Sequence, residues 1–455
     1  MQSRIHYGID GVNVTTQYCG ERAASLNCTP GENDTLTIDA VIAGGDGIAR
    51  RGDGRVVFVS RAAPGERVEV TYVETRAQWL RGRIVRVVEA SPDRRDAPCP
   101  HYARCGGCQL QHLDYAKQRA IKGEIVAEAF RRLGGIEIEP PEVVASPAEF
   151  NYRNRVTFML RTDTVAAGFH ALGEPGAVID VDRCPLAEEA INEAWFGLRA
   201  SWGALAERMP PGPELRLTFR ANADGEVGLA IEGADDPGSL QWMPSEVSRL
   251  VAVWALGKRG EVTMRAGQGF LFERWHGLDV PLEGTAFVQV NRQVATVMES
   301  HVRDVCGDVD GRRVVDGYCG YGLRTIAMAN AGADVVGIDL DRGAIASAKQ
   351  LAKQSGASAR FLVAGVERAI GRELPADLVV LNPPRRGLDK RVCKALVKKP
   401  PGRIVYVSCD PPTLARDLKL LSSTFDISST RAFDLFPQTS HVETVVVLDR
   451  WSGGI

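Results

Sequence analysis

The period of the apolar positions changes three times along this chain. Between residues 35 and 93, apolar residues come in short alternating runs at 36–43, 56–59, 67–73 and 82–88. Clusters of turn formers part them: Gly44-Gly45-Asp46-Gly47, Gly52-Asp53-Gly54 and Pro64-Gly65. This pattern predicts short strands closing into a small β-barrel. Residues 113–133 place Ala116, Ile121, Ile125, Val126, Ala129, Phe130 and Leu133 at helical spacing, closed by Gly134-Gly135. From 152 to about 284, strand-like runs (155–160, 215–220, 227–232) surround one helical stretch at 186–199, an α+β pattern. From about 286, strands and helices alternate, which predicts an α/β sheet. Residues 1–34 have no clear period and read as an extension. The expected division is 1–34 extension, 35–93 barrel, 94–285 central α+β domain and 286–455 α/β domain.

Composition supports several globular domains. The 455 residues exceed one ordinary core, and 44% hydrophobic with 25% charged residues belongs to soluble globular chains. No apolar run approaches the roughly 20 residues of a membrane helix. The N-terminus lacks the pattern of a secretory signal. The ten cysteines are spread out, which argues against a disulfide framework and for a cytoplasmic chain with thiols free for metal or catalysis. The net charge of −2 hides an asymmetry: residues 50–95 hold eleven Arg, no Lys and six acids, a local excess of five positive charges. A basic barrel suggests a polyanionic partner, with Arg81, Arg83 and Arg86 as phosphate contacts. A merely solvated basic face is the alternative.

Three kinds of chemistry stand out. Residues 404–407 are apolar or aromatic and run into Ser408-Cys409-Asp410-Pro411-Pro412. Cys409 thus sits at a strand end, on the edge where open α/β sheets bind ligands, as a candidate nucleophile. Cys99, Cys105 and Cys108 follow C-x5-C-x2-C spacing, with Cys184 as a possible fourth ligand. Four thiolates suit zinc or a [4Fe–4S] cluster. The lone, distant fourth cysteine favours iron–sulfur, and His101 or His112 are alternative ligands. Third, a strand ends in Asp316-Gly317-Tyr318-Cys319-Gly320-Tyr321-Gly322, and Asp339 lies nineteen residues beyond Gly320. The third glycine of a dinucleotide fingerprint is replaced by Thr325, so the turn fits S-adenosylmethionine better than NAD. A later strand ends at Asn382-Pro-Pro-Arg385, and Glu443 lies just before another, as a candidate base.

Together these segments resemble the RNA uracil-C5 methyltransferase family, closest to the iron–sulfur branch acting on 23S ribosomal RNA. The resemblance covers roughly residues 35–450. It is carried by the four cysteines, Phe287-Val-Gln289-Val-Asn291, the Asp316–Gly322 turn, Asn382-Pro-Pro-Arg385-x-Gly387, Ser408-Cys409-x-Pro411-x-Thr413-Leu-Ala-Arg416-Asp417-Leu418 and Phe436-Pro-x-Thr439-x-His441-x-Glu443. It implies an N-terminal TRAM barrel of oligonucleotide-binding type, a central cluster domain and a Rossmann-like methyltransferase domain. It further implies Cys409 as nucleophile and Glu443 as base. The donor, S-adenosylmethionine, would lie among Gln289, Tyr318, Leu323, Asp339 and Asn382. Cys99, Cys105, Cys108 and Cys184 would hold a [4Fe–4S] cluster. The expected partner is RNA, 23S ribosomal before transfer RNA, bound by a monomer without a membrane. Two positions depart from the family: Tyr318 stands where Phe is common, and Asn382 where Asp is usual. The second removes a charge and changes which base edge is preferred.

The chemistry explains the residue types. Uracil C5 is a poor nucleophile until a thiolate adds to C6. A base must then take the C5 proton so that the thiol can leave. Two other classes compete: an amino-directed methyltransferase, which shares Asn-Pro-Pro but needs neither Cys409 nor Glu443, and a silent RNA-binding protein that keeps the barrel and cluster.

Overall fold

The computed structural model describes residues 6–9, 12–15, 31–275, 277–284 and 286–451. Most of the expected extension at 1–34 lies outside the described residues. Within it, His6–Ile9 pairs antiparallel with Val12–Thr15. Asn33–Thr37 is already the first strand of the barrel.

The barrel sheet runs Asn33–Thr37, Arg67–Thr75, Trp79–Glu89, Val56–Ser60, Asp46–Arg50, Ala40–Val41. Alternate residues Val68, Val70 and Tyr72 point inward and meet Leu36, Ile38, Val57, Val59 and Leu80. The run expected as one strand at 36–43 is two, and Asp46–Arg50 forms a strand where a turn was expected. Small residues hid it: Gly47 packs so closely that a Cβ there would lie 3.0 Å from Ile38 and Ala62. Two of the three arginines expected on phosphate are paired instead. Arg81 binds Asp46 at 2.6 Å and Arg86 binds Glu69 at 2.6 Å, while Arg83 is exposed.

The central sheet has seven strands, from Glu174–Asp180 at one edge to Val262–Gly267 at the other. Helix Glu189–Ser201 covers one face, and Trp195 stacks on Phe158 with centroids 4.1 Å apart. Ala166–Ala171, Glu174–Asp180, Leu250–Leu256 and Val262–Gly267 were not read from the sequence. Ala166–Ala171 is rich in small residues, which leave little alternation to read.

Helix Tyr115–Ala129 continues through a π-turn, Phe130–Gly134, and stops at Gly135 with φ 68°. Its residues Val126, Ala129 and Phe130 pack with Leu414, Ala415 and Leu418 of the C-terminal domain. Val143–Val144 even joins the C-terminal sheet as its edge strand. This part of the central segment is therefore a buttress of the C-terminal core.

That sheet runs Arg360–Val363, Asp334–Asp339, Arg313–Gly317, Leu378–Leu381, Arg403–Ser408, Glu443–Arg450, Phe425–Phe433, Val143–Val144. The first five are parallel and, apart from Asp316 and their first and last residues, apolar, as strands of a covered parallel sheet are. Arg360–Val363 was not foreseen. The strand order reverses beside Arg313–Gly317, so a crevice opens outside its carboxyl end. Pro411 and Pro412 do not merely stop the Cys409 strand; they open helix Pro411–Leu421, where a proline's missing N–H costs nothing.

Candidate active site

The turn Tyr318–Gly322 lies at the switch point. Tyr318 N–H donates to Ile338 O at 2.8 Å, and Tyr318 holds φ 64°, a left-handed backbone rare for an aromatic residue. Asp339 fixes the turn from the next strand: Gly320 N–H donates to its Oδ2 and Asp341 N–H to its Oδ1, both at 2.9 Å. Gly322 has φ 69°, and a Cβ there would lie 2.5 Å from Phe361. Gly320 has φ 53° with open space beside it. A left-handed turn with a clear outer face and a carboxylate alongside suits a nucleoside ligand, and the residues present fit S-adenosylmethionine. Leu323 begins the following helix, and Asn382 N–H donates to Gly317 O at 3.3 Å. Ala286 and Val288, just before Gln289, share an apolar cluster with Cys319, Tyr321 and Leu323. Asn154 Nδ2 donates to Gln289 O at 3.0 Å.

Cys409 and Glu443 meet through register. Arg403–Ser408 and Glu443–Arg450 are antiparallel, with Ser408 opposite Thr444, so the residue after Ser408 stands beside the residue before Thr444. Glu443 opens its strand rather than preceding it. Glu443 is 4% exposed and its Oε2 has no hydrogen-bond partner. Burial pushes Glu443 up to about 8, with the Arg385 guanidinium pulling the other way. Burial likewise pushes the Cys409 thiol up to about 12; Glu443 adds to this and Arg385 opposes it. One cation thus favours the ionised form of both groups. Arg385 also donates to His441 Nε2 at 3.2 Å, and burial lowers His441 to about 4, so its imidazole is neutral.

Sequence reasoning quoted the residues that hold this site as motif positions and gave them no role. Asp417 is fully buried and accepts from Leu388 N–H at 2.7 Å and Tyr406 Oη at 2.8 Å. Thr413 Oγ1 donates to Arg385 O at 3.0 Å, and Arg416 Nη2 to Arg386 O at 2.9 Å. The helix after Cys409 therefore clamps the Asn382–Leu388 loop. The signal was present, since Thr413, Arg416 and Asp417 are spaced on one helix. Asp316 is also buried and accepts from Thr325 Oγ1 at 2.6 Å, which accounts for Thr325 in the glycine turn.

Cys99, Cys105, Cys108 and Cys184 line one cavity of about 380 Å³, with Arg153 and Arg155. All four are free thiols. Burial pushes Cys105 up to about 11 and Cys108 to about 12, and in each case the neighbouring thiols add to the rise. Among the described residues, no three His, Cys, Asp or Glu side chains converge on one point as a single ion requires. Four cysteine thiols around one cavity are the donor type that an iron–sulfur cluster would use. His112 points elsewhere: its Nδ1 meets Tyr102 Oη at 2.8 Å. His101 Nε2 meets Asp182 Oδ1 at 3.1 Å.

Comparison with known proteins agrees with this geometry. Three family profiles match: TRAM domain at residues 29–85, Methyltransferase domain at 314–399, and tRNA (Uracil-5-)-methyltransferase at 372–451. The chain is 35% identical to an uncharacterized RNA methyltransferase of Gloeobacter violaceus, over 92% of this chain and 97% of the other. It is 32% identical to a 23S rRNA (uracil(1939)-C(5))-methyltransferase of Pseudomonas entomophila, over 94% and 96%. A solved structure, the Pyrococcus abyssi tRNA (uracil-54, C5)-methyltransferase with S-adenosyl-L-homocysteine, superposes with TM-score 0.73 at 29% identity, covering 91% of this chain and 99% of that one. With the basic barrel, the glycine turn at the switch point and the paired Cys409 and Glu443 in place, the chain belongs to the S-adenosylmethionine-dependent RNA (uracil-C5)-methyltransferases.

Proposed function

We propose that this enzyme methylates C5 of a uridine in 23S ribosomal RNA through a covalent Cys409–C6 adduct. The observation that carries this reading is the pairing of Cys409 with a buried Glu443 whose Oε2 has no partner. Cys409 Sγ adds to C6 as the thiolate and makes C5 electron-rich. S-adenosylmethionine supplies an electrophilic methyl group when bound. Glu443 then takes the C5 proton on its carboxylate, the C6–S bond breaks, and the thiolate leaves. Arg385 favours the ionised forms of both groups. Tyr318, Leu323, Asp339, Asn382 and Gln289 form the donor site. The target base must leave its stack to reach it.

Cys99, Cys105, Cys108 and Cys184 hold a [4Fe–4S] cluster in this reading, as a scaffold rather than a reactant. Protein purified without oxygen should carry roughly four irons per chain; stoichiometric zinc without iron would overturn that assignment. The chain acts as a cytoplasmic monomer, divided near residues 93 and 285, with residues 115–144 packed onto the C-terminal domain. Among the described residues, no helix is long and apolar enough to cross a membrane.

The test is nucleoside mass spectrometry with site mapping, on RNA from cells with and without the gene. Loss of one 5-methyluridine from 23S ribosomal RNA is expected. Loss from transfer RNA, the substrate named for the Pyrococcus abyssi relative, would move the substrate assignment. In vitro, wild-type enzyme should be captured by 5-fluorouridine RNA and Cys409→Ala should not.

A further inference from the structure

The loop between Phe433 and Glu443 has an anchor that none of the catalytic roles uses. Gln438 is fully buried with φ 70°, a left-handed backbone that a residue with a side chain adopts only when its surroundings hold it there. Every polar group it has is engaged. Its N–H donates to Gln118 Oε1 at 3.0 Å. Its carbonyl accepts from Gln109 N–H at 3.1 Å and Leu110 N–H at 3.0 Å. Its Oε1 accepts from Gln118 Nε2 at 3.0 Å and Arg95 Nη2 at 3.2 Å, and its Nε2 donates to Glu149 Oε2 at 3.0 Å. Pro437 O accepts from Tyr152 Oη at 3.0 Å, and a buried pair, Lys122 with Asp434 at 2.6 Å, closes the other end of the loop.

Three of these partners, Gln109, Leu110 and Gln118, lie within eleven residues after Cys108. Gln109 directly follows Cys108, and Gln118 lies on the buttress helix Tyr115–Ala129. The barrel arrives there too: a Cβ on Gly45 would lie 2.4 Å from Gln109 and 3.4 Å from Ser440. Cys409, in contrast, is held by its own strand and by helix Pro411–Leu421. The strands of Cys409 and Glu443 pair with each other, but the loop that leads into Glu443 is tied through Gln438 to the segment after Cys108.

We infer that Gln438 is a positioning residue that fixes Glu443 for proton removal by tying its loop to the segment after Cys108. This rests on the reading of Glu443 as the base. Loosening the tie should spare C6 addition and slow only the release step. The full chain carrying Gln438→Ala, and the milder Gln118→Ala, should bind S-adenosylmethionine within about twofold of wild type. Both should be captured by 5-fluorouridine RNA at near wild-type rate per folded molecule. On ordinary uridine RNA, release should slow by on the order of 10- to 100-fold, the range a misplaced group costs. Covalent protein–RNA adduct should then accumulate on denaturing gels, as in Glu443→Gln. Because adduct is counted per donor-binding molecule, partial misfolding lowers the amount and not the ratio. A wild-type adduct fraction in both variants would overturn the inference, and so would capture and release falling in equal proportion. Failure of wild-type enzyme to be captured would instead be failure of the catalytic reading beneath it.

Discussion

Glu443 carries an electrostatic conflict that sets the pH behaviour of the site. Burial raises its carboxyl from the ordinary 4.5 to about 8, with Arg385 opposing the rise. The folded protein therefore holds a proton that the unfolded chain gives up across this window. The native state binds more protons, so the stability tied to this group falls as pH rises from about 4.5 through 8. Glu443→Gln should match wild-type thermal stability near pH 5 and exceed it at pH 9. Turnover by wild type should rise with pH through about 8 as the base ionises, and methylated adduct should build up in Glu443→Gln. Normal turnover in that variant would remove Glu443 from the base role. Asn382 poses a second residue-scale question. A carboxylate only accepts hydrogen bonds and would read uracil N3–H, whereas an amide both donates and accepts. Asn382→Asp should sharpen the preference for uridine over cytidine by about 1–3 kcal/mol, measured as kcat/KM on matched RNAs. Unchanged selectivity would place the amide away from the base edge.

At the scale of elements, the helix after Cys409 does two jobs. It begins at Pro411, two residues after Cys409, and three of its side chains hold the Asn382–Leu388 loop. Asp417→Ala would leave Leu388 N–H and the buried Tyr406 hydroxyl without an acceptor. A cost of about 2–6 kcal/mol follows, at about 1–3 for each of the two unsatisfied groups. Thermal unfolding should show the loss, and methylation should fall further than stability, because Arg385 rides on the released loop. Equal activity per folded molecule would show that the clamp serves only the fold. Thr413, Arg416 and Asp417 were visible in the sequence as a run. Their helical spacing faced no visible partner there, because the loop they grip lies some thirty residues earlier.

The whole molecule joins a basic barrel to a methyltransferase sheet through the cysteine loop. Arg61 marks one contact: its Nη2 donates to Cys105 O at 2.9 Å and its guanidinium lies 4.4 Å from the Tyr102 ring. Arg81 and Arg86 already have carboxylate partners, so the barrel's capacity for phosphate falls more on Arg83. Arg83→Ala should lower the slope of log affinity against log salt by about one, and Arg81→Ala by less, with donor affinity unchanged in both. Equal slopes in all three proteins would mean that this face is only solvated.

What was legible from sequence follows from locality. Apolar runs marked the strands Arg313–Gly317, Leu378–Leu381 and Arg403–Ser408, because strands covered on both faces must be apolar along their length. Glycines at positive φ marked the donor turn, and Cys409, Glu443 and the four cysteines stood out as residue types that their chemistry requires. What was not legible depended on pairing. The barrel strand Asp46–Arg50 has small inward residues, so its period was silent until neighbours packed on Gly47 and Ala49. That Glu443 stands beside Cys409 depends on its strand running antiparallel at one register, a choice written in no single segment. That Gln438 anchors the loop before Glu443 depends on partners about 290 to 340 residues away in the chain. The sequence by itself determined the chemistry and the order of the elements, since both reside in residue type and local period. Only the tertiary structure decided which groups share a site and what holds them, because hydrogen bonds and buried charge depend on distance in space.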